Sequence, residues 1–193
     1  MTVETEDTFL ARVRQLDPAR TAFVGFAAWY TSAPMRRDDA YQLLDHLDLA
    51  IHEAGHVVFT PFGEFVGIAG GSILQILVPL AFVLWFAATQ QRYAAFVVVF
   101  WVAQSFFNVA RYIADARAQE LPLVGGEYAI HDWSWMLSRM HLLTHDTEIA
   151  AAVRMLAGML WLAAVLGALH FAVRPAEGTP RGRSGVFSGS RAA

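Results

Sequence analysis

The sequence predicts an all-α, polytopic membrane protein with about three spanning helices and a further helix, interfacial or re-entrant, that carries an HExxH motif. Two observations predict this fold class. The chain of 193 residues is 56% hydrophobic and only 16% charged, whereas soluble domains contain about a quarter charged residues. Its apolar residues are concentrated in runs that are long enough to cross a bilayer.

The chain divides into three regions. Residues 1–39 are predicted to form a surface or interfacial segment, because the apolar stretch 21–31 is too short to span a bilayer. Residues 40–173 form the membrane domain. The tail, 174–193, is rich in Gly, Ser and Arg and is predicted to be disordered.

Four helices are predicted within the membrane domain. The first runs from about residue 40 to 59, where Pro61 and Gly63 end it. Three apolar runs long enough to span follow, at about 70–89, 93–114 and 149–173. If the first helix lies at one membrane face, two crossings bring the polar loop 115–149 back to that face.

Composition limits the chemistry. The absence of cysteine excludes disulfides, cysteine zinc ligands and thiol catalysis. The absence of lysine excludes a Schiff base. A net charge of -3 gives no indication of nucleic-acid binding. Because every basic residue is Arg, we expect a GC-rich, bacterial genome. For a bacterial protein with helical spans, we expect a location in the inner (cytoplasmic) membrane.

The HExxH motif is His52-Glu53-Ala54-Gly55-His56. Residues four apart lie on one face of a helix, so the two imidazoles can share a metal ion. The spacing is typical of zinc sites in which the intervening Glu removes a proton from metal-bound water. We therefore expect Zn²⁺ as cofactor, His52 and His56 as ligands and Glu53 as general base.

A catalytic zinc site needs a third protein ligand. Asp115 is our first candidate, because it ends a polar stripe on the second spanning run, and polar residues in a span usually face protein or a cavity. An ion pair of Asp115 with Arg111 is the structural alternative. His131 is the alternative ligand, and Asp132 would then orient it.

Further polar residues are expected around the metal. Asp45 and Asp48 share the helix face of His52 and could accept the free N–H of a ligand imidazole. On the second span, Gln104 and Asn108 could orient the site or bind substrate. A second i,i+4 pair, His141 and His145, leaves open a di-iron site built from histidine clusters.

Residues 45–120 resemble the site-2-protease group of intramembrane zinc metalloproteases. The resemblance is carried by the HExxH motif, a following hairpin of spans and a late helix with Asn108 and Asp115. It implies that His52, His56 and Asp115 bind zinc and that Glu53 activates water. The chain has Arg111 where the family's second motif has Pro, and Ala116 follows Asp115 where the family has Gly.

The sequence therefore predicts a zinc metallopeptidase that is embedded in the lipid bilayer and cleaves membrane proteins or membrane-proximal peptides. The alternative is an accessory subunit of a larger bacterial membrane complex, whose metal site is structural or vestigial. The small size of the chain, its few spans and its many interfacial aromatic residues also fit that second interpretation.

Overall fold

The computed structural model describes residues 15–36, 42–122 and 130–173, and within these ranges the chain forms seven α-helices and no β-strand. The helices are α1 (Pro18–Thr31), α2 (Ala33–Arg36), α3 (Leu43–Phe59), α4 (Glu64–Ala88), α5 (Arg92–Ala114), α6 (Asp132–Arg139) and α7 (Asp146–Phe171). This confirms the all-α prediction for the described residues. Residues 1–14 and 37–39 of the predicted N-terminal segment, and the whole tail 174–193, lie outside them.

Among the described residues, three helices are long and apolar enough to cross a membrane: α4, α5, and α7 with the 3-10 turn before it. They correspond to the three apolar runs of the sequence. The apolar run was expected to begin at about residue 70, but α4 begins at Glu64. Gly70, Gly71 and Ser72 therefore lie inside the helix. Gly63, with φ of 103°, precedes its first residue.

α5 lies at the centre of the bundle and packs against α4, α7 and α1. Its partner α7 contributes small side chains. Ala150, Ala157 and Ala164 are buried and recur every seven residues. Small residues at this spacing form one stripe on a helix and allow two helix backbones to approach closely, as is common between helices in membranes.

α1 packs along α5 and α7. The indole N–H of Trp161 donates to Thr31 Oγ1 at 3.1 Å, and Tyr93 Oη donates to the carbonyl oxygen of Arg20 at 3.0 Å. The end of α1 also holds the start of α3, because Gln42 Nε2 donates to the Tyr30 carbonyl oxygen at 2.8 Å. The apolar stretch 21–31 therefore has protein partners on one side, while Trp29 remains 60% exposed.

The first and last described residues meet at one end of the bundle. Leu16 and Val173 form an isolated antiparallel bridge. Beside it, the backbone N–H of Asp17 donates to the carbonyl oxygen of Ala172 at 2.7 Å. The side chain of Asp17 then caps α1, where it accepts hydrogen bonds from the first backbone N–H groups.

The helix with the HExxH motif packs antiparallel against α4 through glycines. A Cβ atom placed on Gly55 would lie 2.2 Å from the carbonyl oxygen of Gly70. A Cβ atom on Gly71 would lie 2.5 Å from His52 Nε2. Gly70 and Gly71 are thus points of close packing between α3 and α4. These glycines fix how far His52 stands from α4.

We predict that Gly71→Ala displaces the imidazole of His52, because the new methyl group overlaps its ring. Overpacking of this kind costs about 1–3 kcal/mol in the free energy of unfolding. Thermal unfolding in detergent measures the change. Gly158→Ala in α7 is the matched control, since nothing lies within 4 Å of its Cβ position. Equal unfolding temperatures for the two variants would contradict this role of Gly71.

Candidate metal centre

Two histidines of α3 and one aspartate of α6 converge on a single point. Oδ2 of Asp132 lies 2.9 Å from His52 Nε2 and 3.3 Å from His56 Nε2. The possible ligand atoms all lie within 4.8 Å of one another. His52 and Asp132 are buried, and the His56 side chain is 28% exposed. These three residues could hold a metal ion.

The other nitrogen of each imidazole is held by an oxygen. His56 Nδ1 lies 3.0 Å from the carbonyl oxygen of Gly67, and His52 Nδ1 lies 3.2 Å from Gln75 Oε1. Both oxygens accept hydrogen bonds, so each Nδ1 carries a proton and each Nε2 of a neutral ring holds a lone pair. Partners of this kind orient metal-binding histidines in known sites.

Two Nε2 lone pairs therefore face a carboxylate that also offers only lone pairs. This contact is favourable only when positive charge lies between the groups, as a second proton on each ring or as a metal ion. A single divalent cation would serve both rings and the carboxylate at once. The geometry is thus that of a ligand set with its lone pairs directed at one position.

The electrostatics of the site favour positive charge beside Asp132. The hydrogen bond to Asp132 raises the pKa of His56 to about 9, against the opposing effect of burial. Burial alone would raise the pKa of Asp132. The hydrogen bonds from His52 and His56 outweigh that effect and hold the pKa of Asp132 below its usual value.

α6 presents Asp132 because two other helices hold its first turn. The backbone N–H of Asp132 lies 3.1 Å from the hydroxyl oxygen of Tyr112 on α5, to which it donates. The indole N–H of Trp133 donates to Ser72 Oγ on α4 at 3.1 Å. The polar loop after α5 thus returns to the HExxH helix, as the alternation of apolar runs predicts.

The structure does not bring Asp115, the predicted third ligand, to the HExxH histidines. Asp115 lies at the end of α5, where it accepts hydrogen bonds from the backbone of Glu120 and Leu121 at 2.9 and 3.1 Å. Its Oδ2 is also 3.2 Å from His131 Nε2. In place of Asp115, the carboxylate beside the two imidazoles is that of Asp132, which the sequence interpretation gave only an orienting role.

His131, the alternative ligand, is also engaged elsewhere. Its Nε2 faces Asp115, and its Nδ1 accepts the backbone N–H of Ser134 at 3.2 Å, which caps α6. The ring packs on Tyr112 with a centroid separation of 4.3 Å. Both nitrogens of His131 are therefore used, and the side chain fixes the residue that follows it, Asp132.

The remaining predicted residues fall in three places. Glu53 is exposed, yet its charge contributes to the raised pKa of His56. Four others form a separate polar cluster between α3 and α5 instead of contacting the imidazoles of the motif: Asp45, Asp48, Gln104 and Asn108. His141 and His145 are exposed, and among the described residues they join no metal-binding group, so the structure does not assemble a di-iron cluster.

No protein-family model, curated protein or solved structure matches this chain. The resemblance to the site-2-protease group rests on the sequence motif and the order of its helices. The function is accordingly argued from the site itself.

Sequence reasoning missed Gln75, Gly67 and Tyr112 as partners of the site. Gln75 carried a signal, since it is a buried amide in an otherwise apolar helix, and such residues are costly in a span. The carbonyl oxygen of Gly67 carried none, because every residue has one. Tyr112 lies four residues after Asn108 and three before Asp115, on the same helix face, but its role depends on where the loop returns.

We predict that Asp132→Ala removes the metal and that Asp115→Asn retains it. Asp132 faces both imidazoles, whereas Asp115 acts only through His131. Metal analysis of protein purified with zinc should give about one ion per chain for the wild type and for Asp115→Asn, since three ligands suffice for a zinc site. Loss of zinc in Asp115→Asn but not in Asp132→Ala would restore the ligand set expected from the sequence.

Replacing Gln75 by Leu should weaken metal binding without abolishing it. The change removes the acceptor of the His52 Nδ1 proton and leaves the three ligands in place. Loss of such a partner typically lowers metal affinity by about 10–100-fold. Competition with a zinc-binding dye measures the affinity. Gln91→Leu, at an exposed turn between α4 and α5, is the control and should bind zinc as the wild type does.

Proposed function

We propose that the protein is a membrane-embedded zinc metallopeptidase. The observation that carries the proposal is the convergence of His52 Nε2, His56 Nε2 and Asp132 Oδ2 on one position. Two imidazoles and one carboxylate make up a ligand set of catalytic zinc sites, in which the fourth position stays open for water.

The identity of the metal is argued from ligand chemistry. Imidazole nitrogens suit zinc and other late first-row metals, whereas calcium and magnesium take oxygen ligands. The chain has no cysteine to complete a closed structural site. Zinc also fits a hydrolase, because the bound ion lowers the pKa of its water toward 7 and polarises a carbonyl group.

The chain's own residues supply the other functions of the reaction. Glu53 lies between the two ligand histidines in sequence and has an exposed side chain. Its charge adds to the raised pKa of His56, after the larger effects of the hydrogen bonds to Asp132 and Gly67 and of the charge of Asp132. We assign it the role of general base, which takes a proton from the attacking water and passes it to the leaving amine. Gln75 and Gly67 hold the imidazole rings in the tautomer that presents Nε2.

The proposed substrate is an apolar, membrane-proximal peptide. The site lies among α3, α4, α5 and α6, beside two helices that are apolar enough to span a bilayer. On α3 itself, Val57 and Val58 next to the ligand His56 are 75% and 52% exposed. A polypeptide that reaches the site along this face therefore meets apolar side chains, as a membrane-derived segment requires.

Glu53→Gln tests the proposal. The substitution keeps the size of the side chain but removes the base, so hydrolysis should fall by about 10²–10⁴-fold while zinc content stays at the wild-type level. The probe is a quenched fluorescent peptide with an apolar core, reconstituted with the protein in lipid vesicles, with mass spectrometry of the products. Glu64→Gln is the control, because Glu64 is exposed and pairs only loosely with Arg139 at 3.8 Å.

Two results would count against this function. Full hydrolysis by Glu53→Gln would remove Glu53 from the reaction. A wild-type protein that carries zinc, cleaves no peptide in vesicles and co-purifies with a larger complex would instead favour the accessory-subunit alternative.

A further inference from the structure

A cavity of about 420 Å³ lies between α5 and α7, at the end of the bundle where α5 ends and α7 begins. Four of its six lining residues are exposed, so it opens on the outer surface of the bundle. Its volume is in the range of about 300–1,000 Å³ that is usual for sites of small molecules. The residues that line this α5–α7 cavity are Ala114, Thr147, Ala150, Ala151, Arg154 and Met155.

The cavity continues the groove between α5 and α7 into which α1 packs. α1 contacts both of these helices. It ends at Thr31, whose hydroxyl oxygen accepts the indole N–H of Trp161 on α7. Arg154 precedes Trp161 by seven residues, or about two helical turns, and therefore lies on the same side of α7. The groove is thus open beyond the end of α1, and its open part is the α5–α7 cavity.

Arg154 marks the end of an apolar run on α7. The helix is long and apolar enough to cross a bilayer, and residues 155–173 contain no Asp, Glu or Arg. This run matches the length of about 20 residues that the hydrocarbon core requires. A crossing by residues 155–173 places Arg154 where the hydrocarbon core meets the lipid headgroups.

α5 has the same boundary on the other side of the cavity. Residues 93–110 carry no charge, and Arg111 follows them. Ile113 of α5 and Ala150 of α7 belong to one packed cluster, which brings the two boundaries to about the same level. The α5–α7 cavity therefore opens at the depth at which the phosphate groups of one leaflet would lie.

The charge of the cavity lining is positive. Arg154 is the one charged residue among the six that line it. The nearest acidic residues of α7 have other partners: Asp146 pairs with Arg117 at 2.7 Å, and Glu148 accepts a hydrogen bond from Thr147 Oγ1 at 3.2 Å. A guanidinium group binds phosphate oxygens through two parallel N–H groups. The lining thus combines a phosphate-binding side chain with apolar walls.

We propose that the α5–α7 cavity binds an anionic phospholipid. The phosphate accepts hydrogen bonds from Arg154, whose methylene groups stay in apolar surroundings while its charge reaches the headgroups. The first part of an acyl chain lies along the apolar lining, where the alanine side chains are small enough to leave space for it. Basic pockets between membrane helices bind anionic headgroups in this way. A zwitterionic lipid binds less well, because its own positive group lies near the same arginine. The proposal is independent of the zinc site and of peptidase activity.

Native mass spectrometry of the full chain tests the proposal. The protein is stripped of lipid in a non-ionic detergent and titrated with phosphatidylglycerol or with phosphatidylcholine of the same acyl chains. We expect one phosphatidylglycerol per chain, retained at concentrations at which phosphatidylcholine is not. Arg154→Gln should weaken this binding by about 10-fold or more, because it removes hydrogen bonds to a charged group. Arg139→Gln is the matched control, since it removes the same charge from an exposed position on α6, and should bind as the wild type does.

A second pair of variants tests the cavity without changing its charge. Ala151→Phe fills the cavity from an exposed position, whereas Ala152→Phe adds the same ring at the next exposed residue, which does not line it. Phosphatidylglycerol should be lost from the first variant and retained by the second. The unfolding temperatures and the zinc content of both variants should match the wild type, which separates a filled cavity from a disturbed fold.

Three results would overturn the proposal. Equal retention of the two lipids would show that the cavity does not recognise a negative headgroup. Wild-type retention by Arg154→Gln or by Ala151→Phe would place the lipid elsewhere on the bundle. Displacement of phosphatidylglycerol by inorganic phosphate would assign the cavity to a free phosphate ion.

Discussion

One carboxylate oxygen, Oδ2 of Asp132, faces the Nε2 atoms of both histidines of the HExxH motif. The other contacts of the site hold these three atoms together. The histidines need only a helix, but the aspartate follows His52 by 80 residues and two apolar helices. The path of α4 and α5 therefore determines whether the chain can form a ligand set at all.

Close helix packing fixes the positions of the two imidazoles and the carboxylate relative to one another. Within a bilayer, the hydrophobic effect does not drive helices together, so association depends on packing and hydrogen bonds. Glycines let α3 touch the backbone of α4, and the His52 ring lies directly on Gly71. Trp133 and Tyr112 then hold α6 to α4 and α5. Backbone contact between helices thus fixes the positions of the two imidazoles and the carboxylate.

The sequence was most informative where the physics is local. Hydropathy found the three long helices, and the i,i+4 spacing of His52 and His56 correctly placed both rings on one side of α3. It was least informative for the third ligand. Asp115 and Asp132 both lie on the segment that returns to the HExxH helix. Which of them reaches the two histidines depends on how the loop turns back.

That turn is set by long-range contacts, which no periodicity records. Asp115 is occupied by the backbone of the next turn and by His131. The carboxylate of Asp115 therefore supports the loop, whereas the sequence predicted it as a metal ligand. Likewise, Asp45 and Asp48 share the helix face of His52, as expected. Their carboxylates accept hydrogen bonds from side chains of α5, which is far from them in the sequence.

The bridge between Leu16 and Val173 determines whether the chain runs along the bundle an even or an odd number of times. A chain that leaves and returns to the same end of a bundle must run along its length an even number of times. The three long helices account for three passages, so the chain between Leu16 and the start of α4 makes the remaining one. If the three long helices cross a bilayer, reporters fused ahead of α1 and behind α7 emerge on the same side of it, whichever compartment that side faces.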